Sequence, residues 1–510
     1  MTVAAAFRDV LLAHEAARPN ATLLRSPETD RVLTYGQLAK ETRQLAARLD
    51  GLGVNAGDHV GFLLHNGYQT TTIFLGTMAA GYVVTPLNLL SQGAALAYVL
   101  EHSSVRVVFT SAHYEQQLRD AIALLAPQRA NTVQIVVIDS DAADAHAGYG
   151  EREFDADING STPALLMYTS GTTGKPKGAL LTHKNLIHAG KSVCEWHGLT
   201  ANDSVLSSLP LYHINGQCIA TVAPFVSGGS IIAPHKFSAR AWWLWVERYQ
   251  PTWLNMVPTI IAYLLNDAAA NASDVKLWPS IRFARSASAP LPPEQHRAFE
   301  KLFCVGVIEA MGMTECASVV FCNPQNASER KYGTPGLPCG VDVRVVSTET
   351  GETLGDSVTG ELQLRGDNVM LGYYNAPDKT TEAISSDGWL RSGDLGHRDA
   401  DGFYFVTGRI KELIIKGGEN IAPREIDEAL LSHPAVLEAA AVGIPDANYG
   451  QDILAAIVLK PGVVCDDEAL REHCLRVLGR YKTPKTFRFV DELPKGASGK
   501  VQRLKLLDPS

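Results

Sequence analysis

Apolar and polar positions along this chain follow two periods. Up to about residue 160, short apolar runs at 59–64 and 105–110 read as buried strands, and helical spacing appears at 71–80 and 94–101. Strands separated by helices predict parallel, doubly wound sheets in an α/β fold. The run Ala164-Leu165-Leu166-Met167 reads as another buried strand. The amino-terminal stretch places Arg8 and Asp9 among apolar residues, so it predicts an amphipathic helix rather than a signal peptide. From residue 341 the pattern changes to short strands with turns, at 341–347, 360–365 and 402–407, a β-rich subdomain appended to the α/β body. Past Gly408-Arg409-Ile410-Lys411 come a strand at 413–416, a helix at 423–432, strands at 436–444 and 453–460, and a helix at 467–478. The expected division is a large core over 1–408, a hinge at 409–411 and a small α+β domain over 412–510.

Composition narrows the function classes. The chain has 510 residues, 46% of them hydrophobic and 19% charged, with a net charge of −9, which argues against general nucleic-acid binding. No apolar run reaches the roughly 18 to 20 residues that span a bilayer. Eight scattered cysteines without a CxxC pair fit free thiols in a reducing compartment and no zinc site. The last residues, L-L-D-P-S, carry no peroxisomal address, so the expected location is the cytoplasm. Oligomeric state is left open, with a homodimer as the candidate.

The most informative stretch is Tyr168-Thr169-Ser170-Gly171-Thr172-Thr173-Gly174-Lys175-Pro176-Lys177-Gly178. Its glycines allow the backbone to wrap an anion, its hydroxyls and N–H groups donate to oxygens, and its lysines neutralise charge. It is not a Walker A loop. Gly171 and Gly174 are too close together, and Pro176 follows Lys175 where a Mg²⁺-binding Ser or Thr should open a helix. Downstream, Gly312-Met313-Thr314-Glu315 follows a strand-like run. Its hydroxyl and carboxylate could serve a phosphoryl oxygen and Mg²⁺, or simply open a helix with an acidic first turn. In Ser392-Gly393-Asp394 and Gly408-Arg409, an aspartate can accept ribose hydroxyls and an arginine can reach ribose or phosphate. Lys500 sits in the Gly/Ser-rich segment Pro494-Lys495-Gly496-Ala497-Ser498-Gly499-Lys500.

In this order and spacing, these segments together with G-R-I-K-E and K-G-G-E-N-I resemble the adenylate-forming superfamily of acyl-CoA synthetases, peptide-synthetase adenylation domains and luciferases. The resemblance covers nearly the whole chain. It implies ATP, Mg²⁺ and coenzyme A: a carboxylate attacks the α-phosphate to give acyl-AMP and pyrophosphate, then a thiol displaces AMP. Carried over by position, it assigns Thr169 to Lys177 to the β- and γ-phosphates, Thr314 to the α-phosphate, Glu315 to Mg²⁺, and Asp394 and Arg409 to the ribose. Gly312 and Ser288 join the nucleotide-binding set. Lys500 takes the position that bridges carboxylate and α-phosphate, where a cation stabilises developing charge. Lys411 takes the hinge on which the small domain swings. Lys416, Gly417, Gly418 and Glu419, with Asn420, take the pantetheine tunnel. His213 matches an aromatic gate near the acyl carboxylate. Met311 departs from the pattern, since many relatives stack an aromatic ring on adenine there, although a thioether can still pack on a ring.

No pantetheine-bearing carrier segment follows Lys500, which favours free CoA as acceptor. The nine Lys and Arg residues between Arg476 and Lys505 could attract its phosphates or form a solvated basic face. Arg285-Ser286-Ala287-Ser288 replaces the Gly-rich sequence of most relatives and resembles oxalate–CoA ligases. Residues 210–217 and 236–242 resemble ligases for small polar acids such as carnitine. Asn215, Gln217 and either Arg285 or Arg240 are therefore candidate ligands for a second polar or anionic group on the acid, oxalate- or sulfoacetate-like, although Arg285 could equally pair with a protein carboxylate. The alternatives are a ligase for medium-chain or aromatic acids, or an adenylation protein that loads a separate carrier.

Overall fold

The computed structural model describes residues 6–91, 93–154, 157–169, 176–267, 278–495 and 501–508. Its largest part contains two sheets. One runs, in spatial order, Gly372–Tyr373, Lys177–Thr182, Pro163–Thr169, Val83–Pro86, His59–Leu63, Val107–Thr110 and Gln134–Val137. Strands His59–Leu63, Val83–Pro86 and Val107–Thr110 are buried at every residue, which is why they read as unbroken runs rather than alternating ones. The other sheet has nine strands, with Ser204–Leu206, Trp253–Met256, Phe283–Ser286 and Val307–Met311 parallel in its middle.

The sequence reading of parallel sheets needs one correction. Both sheets are mixed. Pro163–Thr169 turns back on itself through Lys177–Thr182, and Val307–Met311 pairs antiparallel with Phe321–Cys322. These strands stand at or near the sheet ends, where a tight connection suffices and no crossover helix is needed. Strand Lys177–Thr182 feeds helix His183–His197 through a reciprocal cap: Asn185 N–H donates to Thr182 Oγ1, and Asn185 Oδ1 accepts from Thr182 N–H.

A four-stranded antiparallel sheet follows, ordered Asp342–Val346, Gly360–Arg365, Leu390–Arg398, Tyr404–Arg409. After the 3₁₀ turn Ile410–Glu412, the remaining strands form a separate sheet with its own core around Ile414, Ile426, Ile453 and Leu470. The fold is thus α/β, with a large part built on mixed sheets and a small α+β part at the carboxyl end.

Candidate active site

A cavity of about 1590 Å³ opens where the two large sheets, the four-stranded sheet and the small domain meet. A drug-sized ligand needs roughly 300 to 1,000 Å³, so this space has room for more than one substrate. Its walls bring together Thr169, Lys177, His213, Ser288, Met311, Gly312, Thr314, Glu315, Asp394, Arg409 and Lys411, residues separated by up to 242 positions in sequence. Ser170, Gly171, Thr172, Thr173, Gly174, Lys175 and Lys500 lie outside the described residues.

Strand ends place most of these side chains. Val307–Met311 delivers Met311 to the wall, and Gly312 lets the chain turn at once: a Cβ there would lie 1.1 Å from the Ser318 carbonyl oxygen. Thr314 and Glu315 then sit in a single 3₁₀ turn, with Glu315 as its acidic residue and no side-chain cap from Met313 before it. Asp394 and Arg409 face each other in antiparallel register, with Arg409 Nε 2.8 Å from Asp394 Oδ1. That neighbour holds the guanidinium above its ordinary pKa.

The Glu315 carboxylate is oriented by a residue the sequence reading missed. Tyr373 Oη donates to Glu315 Oε1 at 2.8 Å, while Lys177 Nζ lies 3.9 Å from the centre of the same ring. Burial lowers the Lys177 pKa; Glu315 opposes this, and Lys411 and Lys379 add to it. Lys379, Arg391 and Glu361 also line the cavity and were not singled out from sequence. A Glu361 oxygen accepts from Gly393 N–H at 3.2 Å, bracing the Ser-Gly-Asp turn.

On the acid side, His213 Nδ1 accepts from Asn215 N–H at 3.3 Å, which leaves Nε2 to carry the proton of the neutral ring. Asn66 fixes the loop before it, donating to the Leu209 carbonyl at 3.1 Å and accepting from Leu211 N–H at 3.1 Å. Ser288 has φ +76, a left-handed conformation that costs a non-glycine residue energy and tends to occur at functional sites. Asn215 Nδ2 donates to Ser288 Oγ at 3.0 Å, and Asn255 Nδ2 donates to Asn215 Oδ1 at 3.2 Å.

Arg285 stands behind this pair, 1% exposed, with Nη1 3.5 Å from Asn215 Oδ1. No carboxylate lies within ion-pair distance of it among the described residues, and its Nε is buried without a partner there. The expected alternative of a protein carboxylate partner therefore fails among these residues. The nearby charge-bearing groups are His197 and the Cys322 thiol; the latter is held well below its ordinary pKa, chiefly by its hydrogen bond with Cys339.

Several expected residues are not brought to the cavity. Gln217 is fully buried in the π-helical segment Asn215–Val222 and gives its amide to the Leu211 carbonyl at 2.7 Å. Lys416 is buried in an ion pair with Asp452 at 2.6 Å, between the rings of Tyr449 and Tyr481. Gly417 and Gly418, at φ +56 and +88, form the two-residue turn of a hairpin that ends in Glu419. Both glycines and Glu419 lie off the cavity wall, whereas Val501, Gln502 and Arg503 line it.

Comparison with known proteins accounts for this assembly. The AMP-binding enzyme pattern matches residues 12–374, and the AMP-binding enzyme C-terminal domain pattern matches 425–500. The chain belongs to the AMP-binding enzyme family. A sulfoacetate–CoA ligase of Cupriavidus necator is 52% identical over 98% of this chain and 97% of its own length. An oxalate–CoA ligase of Arabidopsis thaliana is 32% identical, over 92% of each chain. Among solved structures, ATP-bound MatB from Rhodopseudomonas palustris superposes with a TM-score of 0.91 at 30% identity, over 99% of this chain and 98% of that one. The protein is an AMP-forming acid–CoA ligase. Among its described residues, no helix is long and apolar enough to cross a membrane.

Proposed function

We propose that this ligase activates a short carboxylic acid bearing a second anionic group, carboxylate or sulfonate, and transfers it to CoA. One observation carries the reading: the buried Arg285 guanidinium sits one amide behind the cavity wall with no carboxylate counter-ion among the described residues. A buried cation held by one distant amide oxygen and no carboxylate is costly, and a bound anion relieves that cost. The 52% identity to a ligase named for sulfoacetate supports the same class of acid.

In the first half-reaction, the acid carboxylate lies near His213 and Ser288 and attacks the α-phosphate of ATP beside Thr314. Asp394 and Arg409 hold the ribose, and Met311 packs at the adenine. Thr169 and Lys177, with the intervening loop, take the outer phosphates. Mg²⁺ suits one or two carboxylates plus substrate oxygens, a role open to Glu315; no cluster of three or more His, Cys, Asp or Glu ligands occurs among the described residues. When bound, the ion would neutralise charge on the phosphates. Lys500 bridges the two reacting anions. In the second half-reaction, CoA displaces AMP. Division at 409–411, with Lys411 as hinge, would let the small domain exchange the Lys500 tail for the turn at Gly417 and Gly418. The off-cavity position of that turn supports such an exchange.

The test is ATP–pyrophosphate exchange over a panel of acids, followed by thioester formation with CoA. Sulfoacetate and oxalate should exceed octanoate and benzoate in kcat/KM. Efficient turnover of octanoate or benzoate, with no response to the dianions, would overturn the reading.

A further inference from the structure

Lys177 and Glu315 carry opposite charges at the same end of the cavity, yet they form no ion pair with each other. The Tyr373 side chain stands between them. Its hydroxyl donates to Glu315 Oε1 at 2.8 Å, and its ring face meets Lys177 Nζ at 3.9 Å. No other hydrogen bond to the Glu315 carboxylate is found among the described residues.

The backbone holds this spacer firmly. Tyr373 pairs with Ala179 in the antiparallel register of Gly372–Tyr373 against Lys177–Thr182, so ring and lysine rise from adjacent strands. Leu371 N–H donates to the Leu180 carbonyl, and Tyr374 N–H donates to the Gly178 carbonyl. Met370 N–H donates to the Glu315 carbonyl oxygen, so the same segment also fixes the Glu315 backbone. Asn185 anchors its start by donating to the Asp367 and Val369 carbonyls, each at 2.8 Å.

We propose that Tyr373 is a positioning residue that keeps Lys177 and Glu315 apart and separately available, the lysine for a phosphate oxygen and the carboxylate for the phosphate-bound cation. Without the ring, the two groups would close into a direct pair and neutralise each other. With it, the ammonium rests on a neutral π-face that it can leave for a stronger anion. The carboxylate has Oε1 held and no hydrogen bond to Oε2 among the described residues. The inference rests on assigning this end of the cavity to the ATP phosphates and is independent of which acid is activated.

Calorimetric titration of full-length protein with ATP, with and without Mg²⁺, tests it. In Tyr373→Phe the ring persists and the hydroxyl is lost. The gain in ATP affinity on adding Mg²⁺ should fall about tenfold, the scale of one hydrogen bond to a charged group, while metal-free affinity holds. Tyr373→Leu should also lower metal-free ATP affinity, because Lys177 is released to Glu315. In a Glu315→Gln background, Tyr373→Phe should change the Mg²⁺ gain no further. The proposal is overturned if Tyr373→Phe keeps the full Mg²⁺ gain, or loses affinity by the same factor with and without Mg²⁺. An additive effect with Glu315→Gln overturns it too. Failure of ATP to bind the unmodified protein would refute the phosphate assignment itself, a separate result.

Discussion

Arg285 and Asn215 meet in the interior, guanidinium to amide oxygen at 3.5 Å, and the same Asn215 donates to Ser288 on the cavity wall. A charge is thereby connected to the acid-binding space through one polar side chain. Asn255 joins them from the strand beside Arg285, in direct register. These residues form a polar inset in an otherwise apolar layer that includes Phe283, Trp253 and Ile308.

Arg285→Met tests that connection through selectivity. Removing the guanidinium should lower kcat/KM for sulfoacetate or oxalate by about 10- to 10²-fold, the scale of a lost charged hydrogen bond. Uncharged short acids should change little, so the preference narrows. Steady-state kinetics on a dianion and a monoanion of matched length read this directly. Equal losses on both would assign Arg285 to folding alone.

Lys500→Ala should separate the half-reactions. A cation between two reacting anions is needed only while the adenylate forms, so exchange of pyrophosphate into ATP should fall about 10²- to 10³-fold. Thioester formation from supplied acyl-AMP should persist. An equal fall in both would place Lys500 in support of the fold or of both domain orientations.

Much of this architecture is legible in the chain. The runs at 59–64 and 105–110 announce strands because burial on both faces removes polar alternation, and the short strands after residue 341 emerge near the expected positions. Thr314, Glu315, Asp394 and Arg409 are legible as motifs, and the structure gathers them at one cavity. Tyr373 is not, because a two-residue strand carries no periodicity and its role depends on register with Lys177–Thr182. Gln217 misleads for a different reason. It stands two residues from Asn215, but the π-helical backbone turns it to the Leu211 carbonyl. The hairpin at Gly417 and Gly418 is legible as a turn, whereas its distance from the cavity depends on domain orientation, which no local pattern encodes.

Arg503 ties the tail to the small domain and to the residue after Lys411. It donates to both oxygens of the buried Asp427 and, through Nε, to Glu412 at 3.2 Å. Burial raises the Asp427 pKa, and Arg503 opposes the rise. Arg503→Met strands a buried carboxylate and should cost about 3 to 5 kcal/mol. A carboxyl whose folded pKa is raised is best accommodated when protonated. The variant should therefore be most stable at low pH and lose stability as pH rises through the folded value. Thermal melts between about pH 4 and 8 should show this slope, and adding Asp427→Asn should flatten it. Parallel pH curves for the single and double variants would count against the pair.

Glu309 offers the sharpest pH test, since it lies two residues before Met311 and lines the cavity. It is fully buried; Oε1 accepts from Leu291 N–H at 3.1 Å, while Oε2 has no partner among the described residues. Burial pushes its carboxyl up to about 7, against the Leu291 hydrogen bond and the charges of Arg424 and His296, with Glu428 adding to the rise. Because the folded value lies above the unfolded one, the associated stability is fully present below the unfolded pKa of 4.5 and is lost as pH rises through about 7. The difference corresponds to about 3 kcal/mol. Glu309→Gln keeps an acceptor for Leu291 and removes the ionisation. Urea unfolding at about pH 5 and about pH 8 should therefore show a marked loss in the unmodified protein and a much smaller one in the variant. Similar losses in both would mean that Glu309 does not ionise in this range and that the slope arises elsewhere.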